Sequence, residues 1–291
     1  MDEEIDRQLH ARGLARVSGA LLSAALPSLR LTTRAVRETA LPIGASKIGG
    51  RPDLPPEVAW PVVSGRPYAF VAQINLAEVA GYECARVLPP SGLLFFFYET
   101  ETPDDDEQDA ANPLDARPGC SVLYCEGDPS QLARRRAPRS LQEWDRFTAC
   151  AVAFVPIVTL PAPEAATVAS LGLIRQEHDA YLQFYLGLTG DYYDRGRTPE
   201  HRLLGHPYNL EGDPRVACLV ASRGRAWAET SGLDEAGLGR EAADWMLLLQ
   251  LDSDASADMD WNGGGIIYFC LPRKALQARD FSPLWATSQF F

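Results

Sequence analysis

Apolar and polar positions along this chain follow two rhythms. Residues 3–26 carry the wide spacing of a helix that Pro27 ends. Leu29, Leu31, Thr33 and Ala35 then alternate with polar neighbours, which predicts a strand over 28–36. The segment 42–67 is rich in glycine and proline and predicts a shaped loop. Apolar runs at 68–75, 93–98 and 121–125 predict strands, and so does the β-branched run 148–160. Pro156 lies inside that last run and predicts a place near a sheet edge. Ser140 and Glu143 have capping-box spacing, which predicts a helix through Trp144. Further helices are predicted over 163–171, 176–188 and 273–278, and strands over 245–252 and 266–271, with an extended tail over 281–291. Strands and helices mix without a regular βαβ alternation. The expected class is therefore α+β, mainly antiparallel sheets with flanking helices, rather than a doubly wound nucleotide fold.

Compared with itself, the chain contains one strand-turn-strand motif twice. Ile48-Gly49-Gly50-Arg51-Pro52, then Gln73-Ile74-Asn75, then Gly92 before an apolar strand recur as Leu204-Gly205-His206-Pro207, Gln250-Leu251-Asp252 and Gly265. Pro52 to Gln73 spans 21 residues and Pro207 to Gln250 spans 43, a difference that fits loop insertion in a duplicated unit. The expected organisation is residues 1–45 as an N-terminal helix and strand packed on the core, 46–160 as the first half and 161–291 as the second, forming one compact unit. A glutamine late in an apolar strand must find hydrogen-bond partners. Its recurrence points to two equivalent buried or cleft-lining amides.

Composition narrows the function classes. Hydrophobic residues are 46% and charged residues 23%, as in ordinary globular chains. No stretch reaches the roughly 20 uninterrupted apolar residues of a membrane helix, and the acidic start Asp2-Glu3-Glu4 is unlike a secretory signal. A cytoplasmic protein with no membrane partner is expected. The net charge of −12 argues against nucleic acid and favours a basic protein partner. The segment 99–109 is densely acidic and is expected to be a solvated loop. The six cysteines form no C-x-x-C pair and are expected as reduced core residues.

Searches for chemistry end without a catalytic constellation. G-x-S-x-G, H-E-x-x-H and phosphate-loop patterns are missing from the sequence. No catalytic residue, metal or cofactor is therefore assigned, and the chain leans away from being an enzyme. Candidate ligand- or partner-binding residues are Trp60, Gln73, Asn75, His206, Gln250, Asp252, Asp254 and Trp261. The tryptophans lie near the two repeat turns, where they serve as core or as stacking walls. His206 sits inside the Gly-x-Pro turn, where packing is the simpler role. Asp252 and Asp254 start a carboxylate cluster, Asp258 and Asp260 following. Turn capping by Asp252 with Asp258 and Asp260 in water is one account of it, and a loose cation site is the other.

Ser46-Lys47-Ile48-Gly49-Gly50-x-Pro52, Trp60-Pro61, Gln73-Ile74-Asn75, Leu88-Pro89 with Gly92, and Leu248 to Asp254 with Met259-x-Trp261 resemble the YwqG-like family of bacterial proteins. Where that family usually shows Trp-Gly-Asp, this chain has Trp261-Asn262-Gly263. The resemblance implies a duplicated α+β fold and no established reaction. Members often occur near secreted toxin systems, which implies a non-enzymatic protein-binding role, such as an immunity protein neutralising a basic toxin domain. The alternative expectation is a small-ligand binder or enzyme with a cleft between the two repeats, using Gln73, Asn75, Gln250, Asp252 and Asp254.

Overall fold

A computed structural model describes residues 2–100, 119–127, 129–189, 198–224 and 235–290. The acidic segment 99–109 lies outside the described residues from 101 onward. Among the described residues ten strands form the main sheet, five up to Cys125 and five from Cys150 on, and these two sets are the halves named below. They are β1 (Leu26–Ala35), β2 (Lys47–Ile48), β3 (Ala69–Asn75), β4 (Leu93–Tyr98) and β5 (Cys120–Cys125), then β6 (Cys150–Thr159), β7 (Arg202–Leu203), β8 (Trp245–Asp252), β9 (Gly265–Pro272) and β10 (Trp285–Phe290). Their order across the sheet is β10-β9-β8-β7-β1-β6-β2-β3-β4-β5, with antiparallel pairing throughout. That order is its own mirror when β1–β5 are exchanged for β6–β10. The duplication is therefore a topological fact, and the α+β antiparallel class is the observed one.

The halves are interlocked. β1 and β6 pair along their full length, from Leu26 opposite Thr159 to Ala35 opposite Cys150. β2 then pairs with β6 at Cys150 and Ala151, and β7 with β1 at Leu29 and Arg30. Each half thus builds its second strand onto the first strand of the other. The edge position expected for β6 is corrected, because β6 lies at the centre of the sheet. Among the described residues only β1 pairs with it beyond Ala151, so Pro156 sits opposite Leu29 on a stretch whose other flank carries no described ladder.

Alternation along the strands sorts side chains into layers. On β4, Leu93, Phe95 and Phe97 enter an outer cluster with Tyr68 and Phe70, while Leu94 and Phe96 face a large inner core. On β9, Ile266, Tyr268 and Cys270 enter a second outer cluster, while Ile267, Phe269 and Leu271 face the same inner core. Phe96 and Phe269 meet edge-to-face at 5.2 Å although six strands separate β4 from β9 in the sheet. The sheet therefore curls until one face closes on itself, and Tyr124 on β5 reaches Phe281, just before β10, at 5.6 Å.

The helices differ most from expectation at their ends. Residues 3–26 form two helices, α1 (Asp2–Ala11) and α2 (Ser18–Ser23), because Gly13 takes a left-handed φ of +79° and stops the first. The helix expected through Trp144 is one 3-10 turn, Glu143–Asp145, preceded by extended Gln142 and followed by extended Arg146. The span 163–171 narrows to Ala166–Ala169, whereas Arg175–Thr189 matches the long helix expected there. The first two helices pack with these last two around Leu9, Leu21, Val168 and Phe184.

Candidate functional site: an acidic, aromatic cleft at the rim of the shared core

The two glutamines occupy equivalent places. Gln73 lies opposite Lys47, and Gln250 opposite Arg202. Gln73 Oε1 accepts from the Asp53 amide at 2.8 Å, and its Nε2 donates to the Ala45 carbonyl at 2.8 Å. Gln250 Oε1 accepts from the Tyr208 amide at 2.9 Å, and its Nε2 donates to the Glu200 carbonyl at 2.5 Å. Each amide clamps the chain before a short strand to the chain after the turn that follows it. Those turns need two successive left-handed residues, Gly49-Gly50 at φ 66° and 71° and Leu204-Gly205 at 62° and 80°. A Cβ on Gly50 would lie 2.8 Å from Ala149 Cβ, and one on Gly205 would lie 2.5 Å from Ser28 Cβ.

The neighbouring candidates are tied down in the same way. The Asn75 amide donates to Ser46 Oγ at 2.8 Å, and its side chain bonds the Gly44 carbonyl and caps the next turn at Ala77. In the second half the Asp252 amide donates to His201 Nδ1 at 3.0 Å. The imidazole proton is therefore assigned to Nε2, which donates to Asp254 Oδ2 at 3.2 Å. Asp252 Oδ2 accepts from the Glu200 amide at 2.7 Å. Burial raises the Asp254 carboxyl, but hydrogen bonds from His201, Thr33 and the Ser256 amide prevail and hold it well below the usual range. His206 donates from Nε2 to the Ala24 carbonyl at 2.7 Å, and burial pushes its pKa down to about 4 against that bond. Among the described residues no group of three His, Cys, Asp or Glu is placed to hold a metal ion.

The buried charges pair as well. Lys47 and Asp53 meet at 2.9 Å, and Arg134 joins Asp53 at 2.9 Å. At the matching place of the second half Arg202 and Arg30 share Glu200. Burial lowers the Lys47 pKa despite the attraction of Asp53. These groups face no cleft described below, and they secure the loops around the turns.

Trp261 lies elsewhere, at one end of the inner core, where the halves part into a cleft of about 610 Å³. Its ring packs edge-on to Phe147 at 5.4 Å and Tyr98 at 5.9 Å, making an aromatic floor. Glu143 and Asp145, from the turn before β6, line it from the first half, and Asp258 and Asp260, from the turn after β8, from the second. Arg146 is the one cation lining it among the described residues, and its Nη2 donates to the Leu141 carbonyl at 2.7 Å. Trp144, also a lining residue, is 58% exposed. The second-half wall is rigidly built. Ser253 Oγ accepts from the Trp261 and Gly265 amides at 3.0 and 3.1 Å, and Asp254 and Met259 exchange backbone bonds at 2.8 and 3.1 Å.

Among the described residues, Asp145 Oδ1 and Trp261 Nε1 are buried side-chain atoms without a hydrogen-bond partner. Asp145 is 7% exposed and Trp261 5%. Burial raises the Asp145 pKa, with a hydrogen bond from Thr100 opposing. Trp60 is on the other side of the 145–147 segment. It donates from Nε1 to the Tyr68 carbonyl at 2.9 Å and lines a second cleft of about 450 Å³ with Arg51 and Arg136. Of the eight candidates, Trp261 thus lines the larger cleft and Trp60 the smaller. Gln73, Asn75, His206, Gln250, Asp252 and Asp254 line neither. Sequence reasoning passed over Asp145 and Phe147. Their signal was a Trp-Asp pair in a polar stretch directly before a long apolar strand.

The fold and cleft define an internally duplicated α+β protein, one curled antiparallel sheet with an acidic opening where its halves part. The chain belongs to the DUF1963 family, described as a domain of unknown function, whose profile matches residues 46–289. No curated protein matches the chain.

Proposed function

We propose that this protein is a non-enzymatic binding protein whose partner is a basic protein, received at the acidic, aromatic cleft. The observation that carries this is the composition of the cleft: four carboxylates around a floor of Tyr98, Phe147 and Trp261, with Trp144 largely exposed beside them. An exposed tryptophan bordered by charge is the usual anchor of a protein interface. The net charge of −12 would speed capture of a basic partner. A toxin domain neutralised by an immunity protein is the partner class that the likeness to YwqG-like proteins suggests, and a cytoplasmic location goes with that role.

The test is affinity capture from the native host at low salt, with wild type beside a Trp144→Ala, Asp260→Asn variant. A single basic protein, eluted by salt and lost in the variant, is the expected result. Capture of no protein, or equal capture by the variant, sinks the proposal. A second role, small-ligand binding, is favoured by one fact: about 610 Å³ lies within the range of ligand pockets.

A further inference from the structure

The smaller cleft is edged with arginine although the chain is acidic. Residues 134–146 hold Arg134, Arg135, Arg136, Arg139 and Arg146, five of the 27 lysines and arginines in a molecule of net charge −12. The fold uses the first two. Arg134 binds Asp53 and the Leu41 carbonyl, and Arg135 donates to the Pro55 and Pro56 carbonyls. Arg136 is exposed and bonds no acceptor among the described residues. It lines the cleft of about 450 Å³ together with Arg51 and Arg146. Arg51 donates from Nε to Glu38 at 2.5 Å, and Arg146 donates from Nη2 to the Leu141 and Pro138 carbonyls. Both Glu38 oxygens are taken by Arg51, Oε1 by its amide and Oε2 by its Nε. Asp145, the other carboxylate lining the cleft, is buried. Three guanidinium groups thus border one cleft with N–H donors that no described residue takes up. Arg136 and Arg146 are exposed, and the Arg51 side chain is 38% exposed. Trp60 is half-buried on the same cleft, fixed by its bond to the Tyr68 carbonyl and edge-on to Phe97 at 5.3 Å.

We infer that this cleft binds a small organic anion, a planar apolar body against Trp60 with a phosphate or carboxylate head among Arg51, Arg136 and Arg146. The donor fork of a guanidinium matches either head group, and an aromatic wall suits a flat body. A volume of about 450 Å³ is within the range of small-ligand pockets. Charge sets the size of the anion. The net charge of −12 repels a polyanion that runs past the cleft, whereas a small anion meets the local arginines. This cleft is not the acidic one, so the inference stands apart from the basic partner proposed above.

The experiment is an NMR titration of the full chain, labelled at tryptophan indole nitrogen, in low-chloride buffer with phenyl phosphate, benzoate, the neutral benzamide and inorganic phosphate. Trp60→Phe assigns the Trp60 indole signal. Phenyl phosphate or benzoate is expected to shift that signal with a Kd on the order of 1 mM, the tighter of the two naming the head group. Benzamide lacks the charge and inorganic phosphate the apolar body, so each should bind at least about tenfold more weakly. Arg136→Gln should weaken the tighter anion by at least about tenfold at an unchanged melting temperature, because Arg136 bonds nothing among the described residues. A Trp60 signal unmoved at about 20 mM of both organic anions overturns the inference. So does benzamide or inorganic phosphate binding as tightly as they do, or an Arg136→Gln protein that binds them like wild type.

Discussion

Gln73 and Gln250 each close the same two buried backbone bonds, one before a short strand and one after its turn. Replacing either by leucine leaves an amide and a carbonyl unsatisfied in the interior. A loss of about 2–4 kcal/mol is expected for each in urea unfolding, and a loss below about 1 would deny the clamp. His206 shapes the acid side of the stability curve. Its folded pKa is pushed down to about 4, so the unfolded chain takes up the proton first. Its contribution is complete above about pH 6.5 and declines by up to about 3 kcal/mol on descent to pH 4. His206→Gln, which keeps a donor for the Ala24 carbonyl, should flatten that limb in unfolding followed against pH. Asp254 acts lower, its depressed carboxyl adding stability above the unfolded value near 4 that fades as pH falls further. Asp145 has the opposite sign, because burial raises its pKa and its charge opposes folding at neutral pH. Asp145→Asn is expected to raise the melting temperature, because the neutral amide removes that charge.

A left-handed position needs glycine for two separable reasons, and Gly172, outside the paired turns, isolates the first. Gly172 has φ +58° and open space where a Cβ would be, so Gly172→Ala meets only the backbone cost, about 1 kcal/mol. Gly205 has φ +80°, and an added Cβ would lie 2.5 Å from Ser28 Cβ and 2.7 Å from Thr159 Oγ1. Gly205→Ala should therefore cost at least about 3 kcal/mol by denaturant titration, strain and overlap together. Equal costs at the two sites would mean that Ser28 yields freely. The short strands β2 and β7 show why such turns matter. Each is only two residues long, yet each joins one half of the sheet to the other.

The exchange of first strands makes neither half self-sufficient. Fragments 1–149 and 150–291 should each lack a cooperative unfolding transition, because β1 and β6 form their long ladder only with one another. Mixed, they are expected to recover the circular dichroism of the intact chain, and a folded 150–291 fragment alone would contradict this. Association with the basic partner proposed above should slow by at least about tenfold between about 50 and 500 mM salt, as measured by surface plasmon resonance.

Much of the fold was legible in one dimension, because burial on both sides of a strand demands unbroken apolar runs. The runs at 93–98 and 245–252 match β4 and β8 residue for residue. The repeated glutamine was legible too, since a polar side chain in such a run has to be satisfied. Strand order was not, because a ladder joins residues more than a hundred apart and leaves no local mark, so Pro156 pointed to an edge that exists only on one flank of a central strand. The same holds for the cleft. Asp145 and Asp260 are ordinary surface-type residues in sequence. They line one cleft with Phe147 and Trp261 only because the sheet curls and brings the turn before β6 against the turn after β8.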